Sequence, residues 1–519
     1  MAGTATAGLL VAVDVGTSGA RAAAFDLDGR RLLEARRGYP TRSPRDGWAE
    51  QDGRVWRSAA IGALGDLVGR IEAGGIGRAS DVRAIGLTGQ CPSLVLVDDR
   101  GRPVSAGLIY RDNRAAGEAE AIRERFGDRA IHARTGHLPS GFHIAPKLLW
   151  LQAHEPAVFE RAALALQPRD LVALALTGEV ATDGTHAAAT LVYDLRRGEW
   201  DRVLMDDLGL PPSLFPPIRP SSAVIGGLRA RVAGRVGLAA GIPVVLGGAD
   251  SQACALGAGV VAPGPVSEMA GSSTCLNAAV PAPLDVLEVT HYPHVIPGPY
   301  TTETGINTTG AAVAWLAGLL YGGRSGRPSG ADYARLDAKV GAVRPGADGV
   351  IALPVLGDGE RTDPDVRGAF AGLSLRHDRA PLARAIVEGV AFAIDDQLEL
   401  LRSGGAPVTE LRVSGGDTRL ASWTRIKADV LGIPVRTVPG DAAVSGVAML
   451  AGLGAGIYRD PTEAIERSVR LEPPVAPDPA ARSAYADARA AYRALAGTEA
   501  VRRRDAANSA TTPVVRTGG

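Results

Sequence analysis

One device occurs twice in this chain and limits what it can fold into. The stretch LLVAVDVGTSGARAAAFD, Leu9 to Asp26, is an apolar run that reaches Asp14, bends through Gly16, Thr17 and Ser18, and resumes as a second apolar run. Beyond the midpoint, GPVSEMAGSSTCLNAAV, Gly264 to Val280, repeats the pattern with an acidic residue and then Gly271, Ser272 and Ser273 at the bend. Continuous apolar runs cut by small residues read as buried strands joined by a tight turn. The echo points to two similar domains, each offering a small-residue hairpin corner to a shared cleft.

The rest of the chain is ordered around these corners. Leu9–Val15, Ala20–Phe25 and Arg31–Ala35 read as an antiparallel meander, and Val82–Gly89 as a further buried strand. SLVLVDDRGRPV predicts a hairpin about Asp99–Gly101, and residues 145–163 and 169–176 have helical spacing. GIPVVLGGADSQACALGAG reads as strand, tight turn and short helix. Helices are expected around 310–320, 380–401, 420–431 and 479–496, with a strand at 410–416. The division expected is 1–250 and 251–497, followed by a polar, aperiodic tail, 498–519, expected to be disordered. At 519 residues the chain is too long for one ordinary core.

Composition excludes several classes. Fifty-six basic residues balance 56 acidic ones, which gives no footprint for nucleic acid or an anionic membrane. No apolar run reaches 18 residues, and the N-terminus lacks the basic start of a signal peptide. Three scattered cysteines, Cys91, Cys254 and Cys275, make neither a disulfide framework nor a zinc site; a reducing, cytoplasmic location is expected.

Small residues at a strand–turn–strand bend let backbone N–H groups converge on a phosphate, and a hydroxyl adds another donor. A carboxylate at the strand end, Asp14, suits a magnesium ion. Taken singly, such a bend is equally a tight hairpin with a solvated aspartate. Other phosphate devices are absent: none of the three lysines (Lys147, Lys339, Lys427) follows a glycine, so there is no Walker A loop. GAGVVA at 257–262 follows a helix rather than a strand and fails as a dinucleotide fingerprint. The eight histidines show no metal-ligand spacing.

From about Leu9 to Tyr458 the ordered motifs resemble the FGGY family of carbohydrate kinases, most closely its xylulokinase-like members. They are DVGTSGARAAAFD, AIGLTGQ, IYRDNRA, GFHIAPKLLWLQAHEP, GGADSQACALGAG, MAGSST, GERTDPDVRGAFAGLS, EGVAFAIDDQLELL and VSGGDTRLASWTRIKADVLG. The resemblance implies two actin-like, ribonuclease-H-like α/β domains enclosing a nucleotide and sugar cleft. It implies transfer of the γ-phosphoryl group of ATP to a sugar hydroxyl with Mg2+, and Asp250 as the base that takes the hydroxyl proton. Read alone, Asp250 could simply cap a helix starting at Ser251. The resemblance further implies that Asp14 and Asp250 hold the metal. Gly16, Thr17, Ser18, Arg21, Gly271 and Ser272 then face the phosphates, Gly310 lines the cleft, and Gly415, Gly416 and Asp417 lie at the adenosine end. Gln90, Cys91, Pro92, Asp112, Phe142 and Ser251 are implied for the sugar, with Asp112 as a polar clamp.

Several positions depart from the family pattern. Cys91–Pro92 stands where xylulokinases show Met-His and glycerol kinases Arg-Glu, Ser251 where Asn is usual, and Tyr110 where Trp is usual. Asp417 replaces a third glycine and could accept a hydrogen bond from the nucleoside or repel its phosphates. A ketopentose such as D-xylulose is the expected substrate, ahead of another ketose or a polyol. An actin-like ATPase and a sugar-binding sensor are the readings from other classes. Expected partners are the sugar and ATP, with no nucleic acid or membrane, and a homodimer stays open.

Overall fold

The computed structural model describes residues 8–322, 326–357, 359–360, 365–498 and 501. Its first sheet has six strands: β1 (Leu9–Val15), β2 (Gly19–Asp26), β3 (Arg31–Gly38), β4 (Val82–Gly89), β5 (Val224–Gly227) and β6 (Pro243–Val245), in the order β5-β6-β4-β1-β2-β3. The second contains β7 (Gly264–Ala270), β8 (Thr274–Val280), β9 (Thr290–Pro293), β10 (Tyr300–Ile306), β11 (Val408–Gly415) and β12 (Val435–Thr437), in the order β9-β10-β8-β7-β11-β12. In each sheet an antiparallel hairpin meets a parallel strand on its other side, β4 beside β1 and β11 beside β7. The repeated sequence device is thus a repeated topology.

Strand alternation explains why β1 is buried throughout. Leu9, Val11, Val13 and Val15 pack with α1 (Gly53–Ala73) through Trp56, Leu64 and Leu67. Leu10 and Ala12 face the other way and pack with Val444, Val447 and Leu450. Those residues belong to a helix, Ala442–Gly454, which arises late in the chain yet covers the first sheet. It runs beside Asp250–Gly257, so this helix pair forms a layer between the sheets: Cys254, Ala255, Ala442 and Ala443 pack with Met269 of β7. We number the helices used below α1, then α2 (Pro168–Thr177), α3 (Asp250–Gly257), α4 (Gly310–Tyr321), α5 (Arg379–Ser403), α6 (Ala421–Leu431) and α7 (Ala442–Gly454).

Most expected elements are present, with three differences. The helix expected over 145–163 ends at His154, where Pro156 begins a separate turn and residues 164–166 form a strand against 95–97. The hairpin about Asp99–Gly101 forms, with a Val97–Pro103 bridge and Val104 N–H on Leu96 O (2.9 Å), and Val95–Val97 pairs on its other side with that distant strand. Helices α1, α7 and Gly330–Ala342 were not anticipated; α7 is rich in Ala and Gly and carries little polar periodicity. Of the expected tail, 499–500 and 502–519 lie outside the described residues, as do 361–364 of the GERTDPDVRG motif.

Candidate active site

The first corner, 16–18, is fixed from behind. Tyr39 donates its hydroxyl to the Gly16 carbonyl (2.5 Å), Gln51 Nε2 donates to that of Thr17 (2.7 Å), and the Tyr39 N–H donates to that of Ser18 (3.2 Å). With the carbonyls tied back, the peptide planes cannot rotate freely, and Ser18 stays exposed at the tip. The second corner is braced through its backbone, with a Thr274–Thr309 hydroxyl contact (2.9 Å) beside it. Ser272 O accepts the N–H groups of Thr309 (3.0 Å) and Ala311 (3.1 Å) at the start of α4. Gly310 and Gly415 are needed here for close approach: a Cβ on either would fall 2.2 Å from Gly271 O or 1.9 Å from Ala270 O. Gly271, Ser272, Gly310 and Gly415 therefore meet at one place, and Gly416 faces open space beside them.

Contacts join the two corners across the lobes. Asp14 and Arg21 are cross-strand partners on the sheet face turned toward α7. Arg21 pairs with Asp14 (3.0 Å) and with Asp441 (2.6 Å), whose other oxygen caps α7 at Val444 N. The adjacent Ala442 N–H donates to Ser414 Oγ (2.9 Å), on the strand that ends at Gly415. Arg21 was expected to face phosphates; in this structure it is a clasp between two carboxylates. Asp441 had not been anticipated, because an aspartate before an Ala-rich helix reads only as a cap.

Asp250 stands where these elements converge. It is the first residue of α3, with Ala249 as the cap and its own Oδ1 accepting Ser251 N–H (2.8 Å), so the cap it was expected to supply lies one residue earlier. Burial raises its pKa to about 7, helped by the negative charges of Asp14, Glu303 and Asp441 and opposed by the Ser251 bond. Burial also raises Asp14, with Arg21 opposing. A carboxyl group poised near 7 can take a proton from an alcohol as it attacks. Asp14 Oδ1 is buried without a hydrogen-bond partner among the described residues, and with Asp250 nearby it supplies hard oxygens of the kind Mg2+ takes. Among those residues no cluster of three or more metal-type ligands is preformed.

The sugar-side residues sit at the ends of β4 and in adjoining turns. Gln90 is buried, and its amide bonds Gln51 (3.0 Å) and Ser93 (3.3 Å), tying the sugar strand to the first corner. The Cys91 thiol is pushed well up by burial, then by Asp250 and Asp183, which places it beside the proposed base; a cis bond joins it to Pro92. Ser251 is buried next to Asp250. The reading of Asp112 as a sugar clamp meets a different environment. Its oxygens accept from Ala49 N (2.7 Å) and from Arg114 Nε (2.8 Å), Nη2 (2.7 Å) and N (3.2 Å), which fills its acceptor positions with protein donors. Phe142 is half-buried on a ring stack with His143 (4.2 Å), which leads through His137 to Tyr292 of β9.

Asp417 is likewise committed. It pairs with Lys427 of α6, and the same ammonium holds Glu268 of β7 (2.6 Å). Glu268 precedes its corner by three residues where Asp14 precedes its own by two. One residue of offset turns a side chain to the opposite sheet face, so Glu268 packs into the second lobe's core, not toward the cleft. Lys427 thus cross-links the strand before Gly271 to the turn after Gly416, and its charge answers the repulsion expected of Asp417.

Comparison with known proteins shows which family the chain resembles. The N-terminal domain of the FGGY family of carbohydrate kinases matches residues 9–257, and its C-terminal domain matches 267–455. A xylulose kinase of Bacillus subtilis is 28% identical over 466 residues, 89% of this chain and 91% of that protein. A glycerol kinase of Polaromonas naphthalenivorans is 31% identical over 471 residues, 86% of this chain and 91% of that one. The crystal structure of xylulose kinase from Rhodospirillum rubrum superposes with a TM-score of 0.83 at 33% identity, covering 94% of this chain and 98% of its own. With these two family domains matched in order over most of its length, the chain belongs to the FGGY family of carbohydrate kinases.

Proposed function

We propose that this kinase phosphorylates a hydroxyl of D-xylulose with ATP, using Asp250 as general base. The single observation that carries the reading is Asp250 itself, raised to about 7 at the junction of the two corners. Support for the sugar comes from the xylulose kinases among its relatives of known name and structure. Glycerol is the second reading, favoured by the glycerol kinase at 31% identity. The pair after Gln90 argues against it, since Cys91–Pro92 carries no charge to direct a small triol.

Phosphoryl transfer asks mainly for alignment and charge stabilisation. The backbone amides at 17–18 and 272–273 grip the polyphosphate from opposite lobes, while those of Gly16 and Gly271 close the two turns, and Gly416 leaves room at the nucleoside end. Asp14 and Asp250 would hold Mg2+, which supplies neutralisation of the phosphate charge. Asp250 takes the proton of the attacking hydroxyl. Movement of the sheets about the α3–α7 layer would close the cleft and keep water from the phosphoryl group. We also place the chain in the cytoplasm, where three cysteines in no disulfide suit a reducing medium; among the described residues no helix is long and apolar enough to cross a membrane.

ADP release measured over a panel of ketoses and polyols tests the assignment. D-Xylulose is expected to give the highest kcat/KM, and a higher value with glycerol would replace it. Asp250→Asn is expected to lower kcat by about two orders of magnitude or more while ATP affinity stays within a few-fold. Retained turnover would remove Asp250 from the chemistry.

A further inference from the structure

The loop that delivers Asp250 is held by a buried polar cluster that neither the sequence pattern nor the comparisons single out. Residues 246–248 leave the β6–β4 ladder, which resumes as an isolated bridge between Ala249 and Gly89, so the carbonyls in between find partners elsewhere. Arg169, at the start of α2 and fully buried, donates through Nη1 to Leu246 O (2.7 Å) and Gly247 O (3.1 Å). Thr88 Oγ1 donates to Gly248 O (2.7 Å), and Ala249 N–H donates to Thr185 Oγ1 (2.8 Å). Thr185 Oγ1 in turn donates to Asp183 Oδ2 (2.7 Å), and Asp183 Oδ1 is paired with Arg169 Nη2 (2.9 Å). Ser221 Oγ completes the carboxylate at Oδ2 (2.8 Å). The ring closes: Arg169 fixes one end of the loop, Thr185 the other, and Asp183 locks the two together.

We infer that Thr185 is a positioning residue for the catalytic base, its hydroxyl setting where Asp250 meets the sugar through the Ala249 amide. This inference rests on the reading of Asp250 as base. Three features favour positioning over plain stability. The bonded amide belongs to the residue immediately before Asp250, with no flexible link between. Gly247 has φ +73°, and a Cβ there would lie 1.6 Å from Leu87 O, so the loop is pressed directly onto β4, where a small shift of its backbone has no room to be absorbed. A buried Arg–Asp pair gains little stability over apolar packing of the same volume, whereas it fixes geometry well. Thr185 accepts and donates through one oxygen, so it cannot be replaced by an apolar isostere without leaving both Ala249 N–H and Asp183 short of a partner.

The test compares Thr185→Val, Thr185→Ser and Asp250→Asn in the full chain. Steady-state kinetics with ATP and the best sugar substrate are combined with ATP affinity by calorimetry and with thermal melting. Thr185→Val is expected to lower kcat roughly 10- to 100-fold, the scale of a misplacement of about 1 Å. Both KM values and the ATP Kd should stay within about threefold of wild type, and Thr185→Ser should recover most of kcat, because the hydroxyl rather than the methyl group carries the role. Thr185→Val with kcat within twofold of wild type, while Asp250→Asn is inactive, would overturn the positioning role and leave the base intact. Full activity in Asp250→Asn would instead overturn the reading beneath it. Should Thr185→Val not fold, Thr185→Ala takes its place. Loss of kcat accompanied by a matching loss of ATP affinity, and not rescued by serine, would mark a structural residue and also overturn the inference.

Discussion

Asp250 combines two demands that conflict in the resting protein. As a base it has to ionise near neutrality, yet it is buried and faces other carboxylates. Its pKa is therefore higher folded than unfolded, so the folded state holds its proton more tightly. The stability this contributes is present below the unfolded value near 4 and is lost as pH rises through about 7. Asp250→Asn, which cannot ionise, is thus expected to gain on wild type in melting temperature as pH rises from 5 to 8. With EDTA and no nucleotide, the gain should reach a few degrees by pH 8. A thermal-shift series over that range checks the sign, and a variant that lost ground to wild type between pH 5 and pH 8 would contradict it. The active carboxylate is bought at the expense of the apo fold.

Two elements, α3 and α7, carry the contact between lobes, and they approach so closely that only glycine fits. A Cβ on Gly446 would stand 2.0 Å from Ala253 O, and one on Gly257 1.9 Å from Ala442 O. Gly446→Ala should therefore destabilise by about 1–3 kcal/mol despite its better helix propensity. Gly234→Ala, where nothing lies within 4 Å, should be neutral or stabilising by up to about 1 kcal/mol. Urea denaturation of both variants separates close packing from propensity, and equal effects would refute the distinction. In the second lobe, Lys427→Met strips the shared cation from Glu268 and Asp417. Breaking a buried pair in this way costs about 3–5 kcal/mol, and the loss should shrink at pH 5, where Glu268 can protonate. Burial already raises Glu268, with Lys427 opposing it, so Glu268 is the group expected to take the first proton.

On the scale of the whole molecule, chain order and spatial order part company. The family domains match 9–257 and 267–455, yet α7, within the second of these, covers the first sheet and packs on Leu10, Ala12 and Phe25. Tyr458, just beyond α7, donates its hydroxyl to Leu27 O (3.1 Å), and Arg467 pairs with Asp28 (2.9 Å), extending the return crossing. A fragment ending at residue 263 leaves that apolar face bare. It should be insoluble or bind an apolar dye when expressed alone, and recover when co-expressed with 264–498. Solubility and dye binding, read by size-exclusion and fluorescence, decide this. A monomeric, well-folded 1–263 fragment would show that the first lobe does not need α7.

The sequence alone determined the paired strand–turn–strand corners, the α/β class and the place of Asp250 in a strand–turn–helix, because apolar periodicity and small-residue bends are local properties. It also held the ordered motifs that mark the family. What it could not supply was partnership. Arg21 reads as a phosphate ligand until Asp441, 420 positions later, is seen to share it with Asp14. Asp417 reads as a repulsive oddity until Lys427 and Glu268 close on it, and Asp112 as a sugar clamp until Arg114 and Ala49 fill its oxygens. Thr185 gave no signal, since a threonine in a polar loop is unremarkable before the Ala249 amide is placed on it. A residue's conformational preference is written in its neighbours along the chain, but its charge and hydrogen bonds are settled by whatever the fold brings within about 3 Å, and only the tertiary structure decides that.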